Sequence, residues 1–354
     1  MQRPALPLHD LDALLGAVVD RFALTGAGRG PIRPLGGGLI NDTFAVGDGW
    51  VLQRLHPIFA AEVNDDIAAL VPLLRARGVP VPAIAHSHDG PPYVRIDEPD
   101  DPRTGVWRIL ERLPGSTSPH VGAARRAHDA AALVGRFHAA LDGVPHDFAF
   151  TRAGAHDTAA HMATLRAAIR DHREHRLFAE VSALHELIEA AWAGLAVPDD
   201  LPLRIIHGDL KISNVLFDEQ RAVGLIDLDT MAWMDLGAEL GDALRSWCNR
   251  AGEDEAAALD ADVFTAAIAG YAETGSASAA EREAIVPGLL RISLELSARF
   301  AADALNERYF GWDPARAPGR GEHNLLRARG QFSLHLAVAQ ARPTLERAVR
   351  SSPW

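Results

Sequence analysis

Hydrophobic and polar positions along this chain follow two different periods, and the change falls near residue 120. At the start, Leu11, Leu14, Leu15, Val18, Val19 and Phe22 recur at helical spacing and predict a leading helix over residues 9–24. The pattern then shortens into apolar runs bounded by turn residues. Residues 34–46, with Gly36-Gly37-Gly38 near their start, a Gly47-Asp48-Gly49 turn and residues 50–55 predict strand, glycine loop, strand, turn, strand. Residues 62–77 return to helical spacing. Pro72 lies inside them and predicts a kink or break, because proline lacks the N–H and crowds the preceding turn. Gly78-Val79-Pro80-Val81-Pro82 then extends the chain, and residues 93–96 and 106–110 predict further strands.

Beyond Pro119 the chain becomes alanine-rich and helical. Residues 123–141, 155–171 and 177–195 predict three helices, most simply read as core. Two short apolar runs, 214–217 and 223–226, flank Asp218-Glu219-Gln220-Arg221 and predict a hairpin. Helices follow over 236–250, 253–273, 281–306 and 325–349, with a Gly- and Pro-rich loop at 309–323. Strands gathered first and helices after them predict an α+β protein with two lobes. A small β-rich N-lobe spans 1–113 and a large, mainly helical C-lobe spans 114–354, with the crossing at Leu113-Pro114-Gly115.

Composition narrows the function classes. The chain has 354 residues, 48% hydrophobic and 23% charged, as in a soluble globular protein large enough for two cores. A formal net charge of −12 argues against a general nucleic-acid surface. The single cysteine, Cys248, excludes an internal disulfide and a cysteine zinc site, and its apolar helical context reads as packing. Sixteen histidines include no His-Glu-x-x-His spacing. Without an apolar signal core at the start or a run of 18 apolar residues, the expectation is a cytoplasmic protein with no membrane partner. Nothing in the sequence calls for an obligate protein partner.

The chemistry is concentrated between 205 and 229. His207-Gly208-Asp209 is followed by Lys211 and Asn214, and the second hairpin run ends at Ile226-Asp227. A base, an amide ligand and then a carboxylate ligand is the order of parts in the catalytic and metal loops of kinases. Phosphoryl transfer needs an aligned hydroxyl and cations that absorb spreading charge. Asp209 suits the proton acceptor. Asn214 and Asp227 offer hard oxygens that suit Mg²⁺. Lys211 is near enough in sequence to neutralise charge at Asp209 or at the transferring group. A surface turn needs only one Asx residue, so the ordinary turn reading does not account for all three. The glycines at 36–38, including Gly37 and Gly38, would let backbone N–H groups approach the phosphates of ATP. Glu111–Leu113, at the crossing point, offers backbone groups to an adenine edge.

These segments resemble a family. Gly37-Gly38 with Asn41, Gly78-Val79-Pro80-Val81-Pro82, residues 133–141, His207-Gly208-Asp209 with Asn214, and Ile226-Asp227 resemble the aminoglycoside phosphotransferase family of kinase-like enzymes, over roughly residues 30–345. Residues 38–44, 51–55, 226–231 and 239–245, and Tyr309-Phe310 followed by residues 323–331, are more similar to its N-acetylhexosamine 1-kinase branch. The resemblance implies a protein-kinase-like fold, ATP and Mg²⁺ as cofactors, and transfer to the anomeric hydroxyl of a free sugar. It implies Asp209 as the base and Asn214 and Asp227 as metal ligands. Gly37, Gly38, Asn41 and Thr43 fall at the nucleotide, and Asp229, Asp242 and Arg245 in the sugar pocket or its support. An i,i+3 ion pair on the helix surface is the plainer reading of Asp242 and Arg245.

Two departures stand out. The strand after the glycine loop ordinarily carries a basic residue for the phosphates, paired with a helix carboxylate. Here Gln53 and Arg54 occupy that strand on opposite faces, and charge favours Arg54, with a partner among Glu62, Asp65 and Asp66, of which Asp66 best fits the family spacing; a solvent-facing acidic cluster at the helix start is the equal alternative. The metal loop reads Asp-Leu-Asp and no Ala-Pro-Glu follows, which argues against a regulated protein kinase. Within enzymes the alternative is an aminoglycoside, choline or homoserine-type hydroxyl kinase. The contrasting class is an inert nucleotide-binding module, against which the joint presence of Asp209, Asn214 and Asp227 argues.

Overall fold

The structure is a computed structural model that describes residues 6, 10–24, 30–35, 41–152, 154–196, 198 and 200–354. Its chain divides into two compact units.

The first unit comprises Met1–Ser116, Gly143–Arg152 and Val223–Thr230. It holds helices α1 (Leu11–Val19) and α2 (Val63–Ala76) and strands β1 (Ile32–Pro34), β2 (Asp42–Val46), β3 (Trp50–Arg54), β4 (Val94–Ile96) and β5 (Gly105–Glu111). The strands form one antiparallel sheet in the order β1-β2-β3-β5-β4. Leu15, Val18, Phe44, Leu52, Trp107 and Ile109 pack its core. Pro72 does not break α2. Losing one helical hydrogen bond to proline costs about 3 kcal/mol. Burying Ile67, Leu70, Val71 and Leu74 from the same helix returns about 1.5–3 kcal/mol for each side chain.

Strand register places functional side chains in rows. Thr43 lies opposite Gln53, and Gln53 opposite Arg108. One residue along, Asp42 lies opposite Arg54, and Arg54 opposite Trp107. Side chains alternate along a strand, so these two rows face opposite sides of the sheet.

The second unit comprises Thr117–Asp142, Ala153–Ala222 and Met231–Trp354. Its helices are α3 (Ala124–Leu141), α4 (Thr158–Asp171), α5 (Phe178–Ala193), α6 (Leu236–Trp247), α7 (Ala261–Thr274), α8 (Ala279–Asn306) and α9 (Arg320–Ser351). Strand β6 (Leu203–Ile206) pairs with β9 (Ala232–Asp235), a short ladder that the sequence pattern did not predict. Strands β7 (Val215–Asp218) and β8 (Arg221–Leu225) form where the hairpin is expected, turning at Glu219 with φ 54°; β8 begins in this unit and its residues 223–225 belong to the first. Helices α6 and α8 meet through glycines: a Cβ on Gly288 would lie 2.0 Å from the carbonyl oxygen of Gly237.

Two helix starts differ from the periodicity. The helix expected from 253 begins at Ala261, because Asp260 caps it by accepting from Asp262 and Val263 N–H, while Asn249 bridges to Leu259 upstream. The last helix begins at Arg320, before the expected 325, and its Gly321 lets the chain approach Ala304, whose carbonyl would lie 2.7 Å from an added Cβ. No helix among the described residues is long and apolar enough to cross a membrane.

Candidate active site

In the second unit the segment expected to be catalytic is a backbone feature before it is a set of side chains. Strand β6 ends at Ile206, and Gly208 turns the chain with φ 80°, a conformation that costs glycine little. The Glu239 carboxylate, on α6, accepts from the N–H of His207 (2.9 Å) and of Gly208 (3.1 Å). Ser246 Oγ accepts from Ile212 N–H at 3.1 Å, and Trp247 Nε1 donates to the Leu210 carbonyl at 2.8 Å. Three residues of one helix therefore fix the loop that carries Asp209. His207 itself is buried, with its ring 6.0 Å from that of Phe137.

Glu239 is 1% exposed, an expensive place for a charge unless it is hydrogen-bonded and paired. His138 Nε2 stands 3.4 Å away, and the Tyr271 hydroxyl lies 2.9 Å from His138 Nδ1. Burial pushes the Glu239 carboxyl up, but His138, His207 and the backbone donor together hold it below the usual carboxylate range.

Asp209 is about 30% exposed, and Lys211 Nζ donates to its Oδ2 at 2.6 Å. Asn214 donates from Nδ2 to the Asp209 carbonyl at 2.8 Å. A carbonyl only accepts, so this bond commits the amide nitrogen of Asn214 and leaves its amide oxygen uncommitted to the loop. Asp242 and Arg245 do form the i,i+3 pair, at 3.1–3.2 Å, but it is buried and not on the surface. Arg245 also donates to Glu253 at 3.1 Å. Burial pushes the Arg245 guanidinium down, and Asp242, Glu253 and Asp209 outweigh it and hold it above its ordinary value. Asp209, Asp242 and Arg245 thus share one electrostatic environment.

In the first unit the polar residues converge on Arg108 and Asp229, each about 1% exposed. The two form a bidentate pair, with Nη2 to Oδ2 at 2.9 Å. Gln53 Oε1 accepts from Nε (2.9 Å) and Nη2 (2.7 Å) of Arg108, and Asn64 Oδ1 accepts from Nη1 at 3.4 Å. Asn41 donates to Asp229 Oδ2 at 3.2 Å and accepts from His56 N–H at 2.8 Å. Thr43 Oγ1 accepts from Gln53 at 3.3 Å and donates to the Asn41 carbonyl at 3.2 Å. Asn41, Thr43 and Asp229 are therefore brought together, and Asp227 lies two residues from Asp229 with φ 68°. Gly37 and Gly38 lie outside the described residues.

Arg54 lies in the other row. It pairs with Asp42 at 2.7 Å, donates to the Pro102 carbonyl at 2.7 Å and lies over Trp107. Asp66 does not partner it: that carboxylate accepts from His146 (2.9 Å) and from the N–H groups of Ala149 (2.9 Å) and Phe150 (3.0 Å). The cation in the network that holds Asn41, Gln53 and Asp229 is Arg108 of β5. At the expected adenine edge, the N–H groups of Glu111 and Arg112 already donate to the Ala83 and Gly49 carbonyls at 2.8 Å, which leaves Leu113 as the donor candidate. Burial pushes the Cys248 thiol up, as packing without reactivity requires.

Sequence reasoning missed Arg108, Glu239 and His138 as contributors. The signal was present as one charged residue in an otherwise apolar stripe: Arg108 between Trp107 and Ile109, Glu239 between Ala238 and Leu240. Their partners stand as much as 133 residues away in sequence, as Tyr271 does from His138.

The chain is 37% identical over 115 residues to a homoserine kinase of Methylocella silvestris, a match spanning 32% of this chain and a third of that protein. The fold superimposes on an aminoglycoside phosphotransferase from Alicyclobacillus acidocaldarius with a TM-score of 0.61, 16% identity and 98% of each chain covered. It also superimposes on a microcompartment-associated aminopropanol kinase with a TM-score of 0.62 and 14% identity, over 95% of this chain and 99% of that one. These neighbours share the small antiparallel sheet and large helical part of the kinase-like phosphotransferases. The sequence pattern of the phosphotransferase enzyme family matches residues 31–274, and the chain belongs to that family.

Proposed function

We propose that this protein transfers the γ-phosphoryl group of ATP to a hydroxyl of a small molecule, with Mg²⁺. The observation that carries the reading is the braced loop, in which Glu239, Ser246 and Trp247 hold the backbone while Asp209, Lys211 and Asn214 present the chemistry. Asp209 accepts the proton of the attacking hydroxyl, and Lys211 keeps its carboxylate oriented. Asn214 and Asp227 would hold the metal, which supplies charge neutralisation at the phosphates. Among the described residues no three His, Cys, Asp or Glu side chains gather as a metal cluster. One carboxylate and one amide fit Mg²⁺ all the same, since it keeps waters and takes phosphate oxygens. Asn41 and Thr43 serve the nucleotide segment, and Leu113 the adenine edge. Asp229 supports that segment from a buried position, while Asp242 and Arg245 support Asp209.

The leading acceptor is a free N-acetylhexosamine or related sugar, phosphorylated at its anomeric oxygen. Its support is the likeness of residues 38–44, 226–231, 239–245 and 323–331 to that branch. The second reading, a homoserine or amino-alcohol hydroxyl, is favoured by the homoserine kinase match.

The test is ADP release from Mg–ATP across free sugars, aminoglycosides, choline, homoserine and aminopropanol, with Asp209→Asn as the blank. An acid-labile sugar phosphate from an N-acetylhexosamine is expected, with kcat for Asp209→Asn lowered about 10²–10⁴-fold and ATP affinity nearly intact. Turnover confined to homoserine or aminopropanol replaces the sugar reading and keeps the kinase. Equal ADP release by Asp209→Asn overturns the assignment of the base. Asp227→Ala should abolish Mg-dependent ATP binding, and unaltered affinity removes Asp227 from the metal.

A further inference from the structure

The left-handed backbone at Asp227 is uphill for a residue with a Cβ, so the surrounding chain must hold it. Two anchors bracket it. Just before, Leu225 N–H donates to the Pro80 carbonyl at 3.0 Å. Just after, Asp229 has both carboxylate oxygens on the Arg108 guanidinium. The same carboxylate also accepts from Asn41, where the described chain resumes after the glycine segment.

Every N–H position of Arg108 has a use. Nε and Nη2 reach Gln53, Nη2 and Nη1 reach Asp229, and Nη1 also meets Asn64. A saturated, buried guanidinium has nothing left for a phosphate, so any part it plays in nucleotide chemistry runs through its partners. Only a planar fork satisfies Asp229 bidentately while holding Gln53 along a second edge; an ammonium is a single point of charge. Buried ion pairs seldom win on stability against apolar residues of like volume.

We propose that Arg108 is a positioning residue for Mg–ATP. By clamping Asp229 it fixes the turn that presents Asp227 and ties that turn, through Asn41, to the exit of the glycine segment. This rests on the phosphotransferase reading above.

The decisive comparison is Arg108→Lys against wild type, by direct Mg–ATP binding, Mg²⁺ titration of turnover and acceptor KM, with circular dichroism to verify folding. The Kd for Mg–ATP and the half-saturating Mg²⁺ should rise about 10- to 100-fold, the usual cost of losing a partner one step behind a metal ligand. The acceptor KM should stay roughly where it was. A folded Arg108→Lys with wild-type Mg–ATP affinity and Mg²⁺ dependence overturns the proposal. If that variant fails to fold, Arg108→Met with Asp229→Leu removes both charges and retains the volume. The folded double variant should show the same loss of Mg–ATP affinity, and wild-type binding by it reduces the pair to a structural contact. A wild-type protein that binds no Mg–ATP instead brings down the phosphotransferase reading itself, and this inference with it.

Discussion

The loop at Asp209 and the turn at Asp227 solve the same problem by different means. The first is held by one helix: Glu239, Ser246 and Trp247 of α6 all bond to backbone groups of the segment following β6. The second is held by side chains from β3, α2 and β5 and from the residue preceding β2, gathered on Arg108 and Asp229. A brace on the backbone fixes the path of the loop through its N–H and carbonyl groups without holding the Asp209 side chain. A clamp on a side chain fixes the chain on one side of its neighbour, here the turn at Asp227. The proton acceptor and the metal ligand proposed for Asp209 and Asp227 would make those two different demands.

The comparison breaks first at the clamp. Asp229→Ala leaves the Arg108 charge in place at about 1% exposure with one acid removed. Truncating one partner of a buried pair costs about 3–5 kcal/mol. Chemical denaturation should show a loss of that size. A loss under about 1 kcal/mol, the range of exposed pairs, would mean that water reaches the guanidinium and that no buried clamp exists.

Glu239→Gln tests the brace with a smaller expected effect. The amide oxygen can still accept from one of the two N–H groups, but the new NH₂ then faces the other. One buried backbone donor is left unpaired, at about 1–3 kcal/mol. Because the loop and not the nucleotide is loosened, kcat should fall while the KM for ATP holds. A raised KM for ATP with unchanged kcat would show that α6 serves the nucleotide and not Asp209.

The same contrast explains how much was legible in the sequence. His207, Asp209, Lys211 and Asn214 lie within eight positions, and the apolar runs beside them fixed the hairpin, so local pattern was enough. The clamp joins residues 41, 53, 64, 108 and 229. Pattern identifies Gln53 and Arg54 as lying on opposite faces, but which face carries the polar network depends on pairing across β2, β3 and β5, and charge alone favoured Arg54. The strands β6 and β9 were invisible for a related reason. Four residues each, they are strands because they pair, not because either alternates strongly.

A third polar cluster, in the second unit, separates titratable anchors from the Arg108 clamp, which contains no histidine. Glu295, on α8, is buried; Thr158 Oγ1 donates to it at 2.7 Å, while His156 Nδ1 stands 3.4 Å away and His161 Nε2 and Arg299 Nη1 each 3.8 Å away, at ion-pair distance. Burial pushes Glu295 up, but His156, Thr158 and His161 hold it below the usual carboxylate range. Burial pushes His156 down, but Glu295, with Asp242 adding and Arg299 opposing, leaves it raised. Burial takes His161 the other way, below its ordinary value. The signs are opposite for the two partners. A carboxyl with a depressed folded value stabilises the protein above its unfolded value, and that contribution is lost as pH falls through the depressed one. A histidine with a raised folded value stabilises below about pH 6.5, and loses that contribution as pH rises through the raised value. Melting temperature should therefore decline on both sides of the interval between them, by a few degrees at most. In His156→Gln the deficit relative to wild type should be larger near pH 6 than near pH 9, because the proton that pairs His156 with Glu295 is lost progressively as pH rises. A deficit that is the same at both values would mean that His156 contributes by packing and hydrogen bonding alone.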